Sequence, residues 1–307
     1  MRMKIFVLGG TGFLGGRVCK KLKERKINYC QTSLSQGIDF RNKKELTDYI
    51  KKEKPDIIIN CAAFVGGIQF GYKHPAEMFK NNLLMTINLL ECSKEFGIER
   101  IINPISNCTY PAKANLFKEE EWWDGPMHES VMVYGFVRKG FWIGSWAYNK
   151  QFGIDCINLI LSNMYGPGDR FEEERSHALG ALIMKFVKAK EKNEPEVVVW
   201  GSGEPVREWL YVDDGAEALI RAIDIPSHIE PINVGVGKGI SIADLANIIK
   251  EETNYKGNVV FDKSKPDGAP YKTVDGAKGK EKLKWEPQMD LRNGIRETIK
   301  WYKENKL

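Results

Sequence analysis

Ser106, Tyr134 and Arg138 are the side chains whose types and spacing suit proton chemistry at a carbon–oxygen bond. A serine at the end of an apolar run can fix a carbonyl or carbinol oxygen, and a tyrosine opening a helix can exchange a proton with it. Phenol is a poor acid or base at neutral pH. A cation one helical turn further along stabilises its anion, so the phenol pKa is expected to fall. Arg138 stands at that position, and Lys139 beside it lies about 100° further round the helix.

Such groups need a second reactant held next to them, and the start of the chain supplies a place for one. Residues 4–16, KIFVLGGTGFLGG, read as a buried strand, a glycine-bounded turn and the opening of a helix. Gly9 allows a tight bend, Gly12 lets the backbone approach a pyrophosphate, and Gly15 lets the helix pack closely. The helix N-terminus then points free N–H groups at an anion. Thr11, Phe13 and Leu14 complete this cofactor turn, with Asp39 placed to meet an adenine amino group or to cap a turn. Ala62 and Ala63, small residues after the next buried strand, let a cofactor lie against the backbone. A nicotinamide dinucleotide supplies the hydride that a carbonyl reduction requires. After the second strand there is neither the acid that binds a free ribose nor the arginine that accommodates a 2′-phosphate. Gln31, Ser33 and Ser35 stand there instead. NADP(H) is therefore favoured, with NAD(H) as the alternative.

The chain alternates strand and helix as far as residue 169, the pattern of an α/β, doubly wound parallel sheet of the Rossmann type. Helices are expected at residues 16–25, 43–52, 81–96 and from Tyr134, and strands at 28–33, 56–61, 100–105 and 154–161. Pro104 sits awkwardly in one of these strands. Asn82 and Asn88 are polar exceptions on an apolar helix face, suited to satisfying backbone groups or orienting a catalytic network. Residues 118–125, KEEEWWDG, read as a solvated, partly aromatic loop, with an active-site flap as the alternative. The aromatic stripe Phe141, Trp142, Trp146 and Tyr148 suits packing or a dimer surface. Beyond a proline–glycine turn at 162–168 the alternation breaks. Residues 170–307 form a smaller C-terminal substrate-binding lobe with segments packing back on the sheet, the first lobe being 1–169. Asp213 or Asp214 is expected to cap one helix there, and the Ser241–Asp244 capping box to start another.

Composition bounds the partners. The chain has 307 residues, 42% of them hydrophobic, enough for a large core. Its formal charge of +5 comes from dispersed lysines without a basic stripe, which argues against nucleic acid. No apolar run approaches a membrane span and no leader is evident, so the expectation is a cytoplasmic protein without a membrane partner. Six cysteines lie scattered, without the pairs a zinc site or disulfide framework uses, so no metal is expected.

The runs GGTGFLGG, AAFVGGI, ISNCTYP, NMYGPGD, SHALGALIMKF, VVVWGSGEPVREWLYVDD and VVFDKSKPDGAPYK, spread over almost the whole chain, resemble an extended short-chain dehydrogenase/reductase. Within that superfamily the resemblance is strongest to the GDP-L-fucose synthase group. It implies a GDP-linked nucleotide sugar as substrate and NADP(H)-dependent epimerisation and reduction of a 4-keto-6-deoxy sugar; separately, the long helices carrying Asn82 and Tyr134 suit pairing in a homodimer. By the resemblance, Ser106 and Tyr134 are the reductive pair, and Cys108 and His177 are the acid/base pair for epimerisation. Asn163, Lys185, Trp200 and Arg207 hold the nucleotide sugar. Three positions depart from the pattern: Arg138 replaces the usual lysine, Thr11 a cofactor-phosphate arginine, and Phe64 a lysine. The alternatives are an enzyme acting on another NDP-hexose or NDP-heptose, and an NAD(P)H-sensing module of weak catalysis.

Overall fold

Ile5–Leu8 form β1, a strand buried along its whole length. In the computed structural model, which describes residues 3–172, 176–265 and 267–306, five further strands join it in one parallel sheet. They are β2 (Tyr29–Thr32), β3 (Ile57–Asn60), β4 (Arg100–Ser106), β5 (Asp155–Leu161) and, later in the chain, β9 (Ile232–Val234). The order is β2-β1-β3-β4-β5-β9. Helices cover both faces, which is why the strands are apolar runs rather than alternating ones. Ile5, Val7, Ile57, Ile59 and Ile157 pack with Val18 and Leu22 of α1 (Phe13–Glu24). Phe6, Leu8, Ile58 and Ile101 pack on the other side with Leu46 and Ile50 of α2 (Lys43–Glu53). Leu89 and Leu90 of α4 (Pro75–Phe96) and Phe141 of α5 (Met132–Phe152) complete that face. A short α3 (Ile68–Lys73) precedes α4. The winding changes direction between β1 and β3, a switch point where parallel sheets bind ligands beyond their carboxyl ends.

After β6 (Asn163–Tyr165) the chain builds a second core. Ile183 and Phe186 of α6 (Ala178–Glu191) meet Val197 and Val199 of β7 (Glu196–Trp200) there. Next come β8 (Val206–Tyr211), α7 (Val212–Arg221), β10 (Gly239–Ser241) and α8 (Ile242–Thr253). The chain finishes with β11 (Asn258–Asp262), β12 (Tyr271–Lys272), α9 (Ala277–Leu283) and α10 (Leu291–Lys306). β8 is the hub, pairing antiparallel with β10 and parallel with β6 and β12. Ile249 of α8 and Ile299 of α10 close this core.

Several expectations need correction. The α4 helix starts at Pro75, six residues before 81, because proline suits a first helical turn whatever the apolar periodicity does. Pro104 does lie inside β4: it pairs with Leu159 of β5, while the ladder to β3 stops at Ile102, so the missing N–H leaves no gap in that ladder. Residues 118–125 are not simply a solvated loop. Trp122 is 1% exposed and donates to Thr109 Oγ1 at 2.8 Å, and Glu119 accepts from the Asn233 backbone at 2.9 Å. Neither Asp213 nor Asp214 caps α7, whose cap position is Tyr211; Asp214 instead accepts from the backbone of Gln288 and Met289. Ser241 does cap α8, its Oγ accepting from Asp244 N at 3.0 Å and donating to Asp244 Oδ2 at 2.7 Å. Pro266 of the KPDGAPYK run lies outside the described residues. Among the described residues, no helix is long and apolar enough to cross a membrane.

Candidate active site

The glycine turn closes over the switch point. Gly9 has φ +74°, and a Cβ there would press on the Cys61 and Ala62 backbone, so only glycine lets the turn after β1 sit on the end of β3. A Cβ on Gly15 would collide with the Gly9 carbonyl. Gly12 occupies the cap position of α1 with no side-chain acceptor, which leaves the first-turn N–H groups free for an anion. This cradle fits a dinucleotide diphosphate. Phe13 lines the adjoining cleft of about 270 Å³, whereas the Leu14 side chain is buried in the core and can offer only its backbone.

Loops around the turn are tied down from α4. Asn82 accepts from Phe64 N at 3.0 Å and donates to Phe64 O at 2.9 Å, holding the loop that carries Ala62 and Ala63. Asn88 donates to the carbonyls of Phe40 and Arg41 beyond β2. Both asparagines satisfy backbone. Asp39 takes the turn role: Oδ1 accepts from Arg41 N at 2.9 Å, while Asn42 caps α2. The Arg41 guanidinium also holds the Asp39 carboxyl below its usual range.

At the carboxyl end of β4, Ser106 Oγ accepts from Cys108 N at 3.3 Å and starts a single turn, Asn107–Thr109. The first turn of α5 packs on that turn, where a Cβ on Gly135 would crowd the Cys108 carbonyl. Tyr134 and Cys108 are thereby brought together. The Arg138 guanidinium lies 5.8 Å from the centre of the Tyr134 ring and donates to the Pro104 carbonyl, while its Nε is buried without a partner. Lys139 turns away, as its angular position demands. It donates to the Trp122 carbonyl and stands 4.2 Å from the centre of the Trp123 ring.

The phenol pKa does not fall as expected. Burial pushes Tyr134 up, and the charge of Arg138 only partly offsets it. Burial likewise raises the Cys108 thiol, opposed by Lys272, Ser106 and Arg138. Each member of the expected acid/base pair has an ionisable neighbour. Cys108 faces Lys272, whereas His177, at the exposed start of α6, faces the buried carboxyl of Asp169. Burial raises Asp169, and His177 opposes that rise.

The second lobe contributes cations. Arg207 donates to Asp267 O at 3.2 Å, and burial brings its pKa down to about 10. Lys185 donates to Val198 O at 2.8 Å and lies 5.3 Å from the centre of the Trp200 ring, with Lys265 at 5.6 Å. Trp200 is 43% exposed. Asn163 Nδ2 donates to Glu208 O at 3.0 Å. Gly268 joins the lobes, since a Cβ there would meet both Arg207 and Ile68 at the start of α3. Lys272, Asp169 and Lys265 were not singled out from the sequence. Only their positions inside quoted motifs hinted at them; Lys272 and Lys265 act on residues far away in the chain.

Comparison with known proteins bears on this arrangement. A family model described as the NAD dependent epimerase/dehydratase family matches residues 5–235. A protein of Oryza sativa subsp. japonica named "Probable GDP-L-fucose synthase 1" is 35% identical over 98% of this chain and 92% of its own. A GDP-6-OMe-4-keto-L-xylo-heptose reductase from C. jejuni superposes with a TM-score of 0.90 at 25% identity, covering 99% of this chain and 98% of its own. A GDP-L-fucose synthetase from Naegleria fowleri bound to NADP gives 0.88 at 31%, covering 99% and 94%. The glycine turn at the switch point, the serine and tyrosine beside it and these full-length likenesses agree: the chain belongs to the NAD dependent epimerase/dehydratase family, among the extended short-chain dehydrogenase/reductases.

Proposed function

We propose that the chain is an NADP(H)-dependent epimerase/reductase of a GDP-linked 4-keto-6-deoxy sugar. The observation that carries this is the convergence of Ser106, Tyr134, Arg138 and Cys108 next to a glycine turn at the switch point of a parallel sheet. Its likeness to a GDP-L-fucose synthetase bound to NADP supports both the nucleotide and the cofactor. The bound dinucleotide supplies the hydride.

Ser106 Oγ holds the ketone oxygen. Tyr134, kept protonated by burial, gives that oxygen its proton, and Arg138 stabilises the phenolate left behind. Cys108 exchanges a proton beside the ketone, its thiolate stabilised by Lys272. His177, beside Asp169, serves the opposite face. Arg207, Lys185, Trp200 and Asn163 hold the nucleotide sugar, with residues 170–307 as its lobe and 1–169 as the cofactor lobe. The enzyme works in the cytoplasm as a homodimer. Support for the dimer is the apolar face that α4 and α5 leave exposed, with Phe79, Ile87, Phe136, Ile143 and Trp146 each more than 40% accessible. Support for a reducing compartment is six unpaired thiols.

Given GDP-4-keto-6-deoxymannose, the protein is expected to oxidise NADPH; no loss of NADPH rejects the reading, and equal turnover of the UDP analogue removes the base assignment. In deuterated water without NADPH, deuterium is expected at C3 and C5, with Cys108→Ser slowing the exchange. Burial, which holds the Cys108 thiol protonated, favours a second reading, reduction without epimerisation. Turnover with no such exchange would select it.

A further inference from the structure

Two burials are left over from the chemistry: Lys139, which turns away from the phenol, and Trp122, in a stretch that reads as a loop. Both belong to one path of hydrogen bonds. Thr109 ends the turn that carries Ser106 and Cys108, is fully buried, and donates from its hydroxyl to the Ser106 carbonyl at 2.8 Å. The same oxygen accepts from the Trp122 indole at 2.8 Å. Trp122 in turn takes the Lys139 ammonium on its backbone carbonyl, and its ring stands edge-on to Trp142 with centroids 5.5 Å apart. The path therefore leads from α5, the helix of Tyr134 and Arg138, back to the backbone of Ser106.

Every bond on this path has a fixed direction. An indole N–H and an ammonium only donate and a carbonyl only accepts, so the single Thr109 proton goes to Ser106. An apolar side chain of the same shape at 109 would strand a donor and an acceptor together inside the protein. Ser106 has little else to hold it locally, because its own Oγ accepts from Cys108 N only at 3.3 Å. Upstream of Trp122 the strap is anchored in the second lobe: Phe117 N donates to Thr273 O, and Asp275 N donates to Phe117 O, both at 2.9 Å. The strap is thus fixed at both ends.

We propose that Thr109 and Trp122 are positioning residues, which hold Ser106 in place against Tyr134 by tying its turn to α5 through Lys139. The proposal rests on the reductase reading of Ser106 and Tyr134. The test is single-turnover oxidation of NADPH by GDP-4-keto-6-deoxymannose, with the full chain in excess of NADPH and the sugar varied to saturation. Unfolded enzyme holds no NADPH, so a loss of folded protein leaves this rate constant unchanged. Thr109→Val is expected to lower the rate constant about tenfold, with half-saturation by the sugar within about twofold of wild type. Thr109→Ser keeps the hydroxyl and is expected to recover most of the rate. Trp122→Phe, which keeps a ring in the core and loses the N–H, is expected to cost about fivefold, and the double variant to be little slower than Thr109→Val alone. An unchanged rate constant in Thr109→Val, a Thr109→Ser as slow as Thr109→Val, or losses that multiply in the double variant would each overturn the positioning role while the reductase reading stands. If wild type oxidises no NADPH, both fall.

Discussion

At the carboxyl ends of β4 and β5 the reacting groups come from a regular sheet and the first turn of α5. In the lobe beyond β6 the cations come from strands and loops that converge only after folding. The first region holds a phenol, a thiol and a hydroxyl whose burial keeps the two titratable ones protonated. The second crowds Arg207 and Lys272 into register on adjacent strands, where burial lowers the pKa of both. We propose a division of labour: proton chemistry around Tyr134 and Cys108, with Arg138 and Lys272 beside them, and anion binding around Arg207. Such a division suits a diphosphate-linked sugar, whose charge lies away from its reacting carbon.

Kinetic separation is the strongest test of that division. Tyr134→Phe is expected to lower kcat about a thousandfold with little change in KM for the sugar, the loss of one positioned proton donor. Should KM move with it, the phenol is a binding group and the division fails. Arg138→Ala is expected to lower kcat about a hundredfold, while Arg138→Lys recovers most of it. An equally severe Lys139→Ala would mean the two cations have been assigned to the wrong faces of α5.

Around Arg207 the expected signature is reversed. Arg207→Ala should raise KM for the nucleotide sugar about tenfold to thirtyfold, as lost charge-assisted bonds do, with kcat nearly unchanged. A fall in kcat alone would place Arg207 in the chemistry. Beneath this region Glu208 is fully buried and accepts from the backbone of Val274 at 2.7 Å and Gly237 at 3.0 Å, as well as from Val236. Glu208→Ala strands those N–H groups and is expected to remove about 3 kcal/mol of stability in denaturant unfolding. An unchanged midpoint would show that the lobe does not depend on this carboxyl.

The smallest effect concerns the support of the region around Tyr134. Burial lowers the Lys139 pKa from 10.5 to about 8. A lysine whose folded pKa is depressed weakens the fold while both states are charged, below pH 8, and that penalty fades as pH rises towards 10.5. The stability difference between Lys139→Met and wild type should therefore shift in favour of wild type across this window. A difference that stays flat with pH would mean that contact with Trp122 and Trp123, rather than charge burial, sets the balance.

Much of the first region was legible in the chain alone, because its signals are local. Apolar runs marked β1, β3 and β5, the three glycines marked the turn, and the spacing of Tyr134, Arg138 and Lys139 put one cation beside the phenol and the other a third of a turn away. What depends on contacts across many residues was not legible. Trp122 is buried through Thr109 and Lys139, Asn82 and Asn88 spend their amides on loops before them, and Lys272 reaches Cys108. The hydroxyls of Thr11, Ser33 and Ser35, each within 2.9 Å of the others, belong to both classes. Sequence placed Thr11 at the turn and Ser33 and Ser35 after β2, but local periodicity carries no information about distance between segments. Pairing of β1 with β2 in parallel register brought those oxygens within hydrogen-bond reach, and only tertiary structure could decide that.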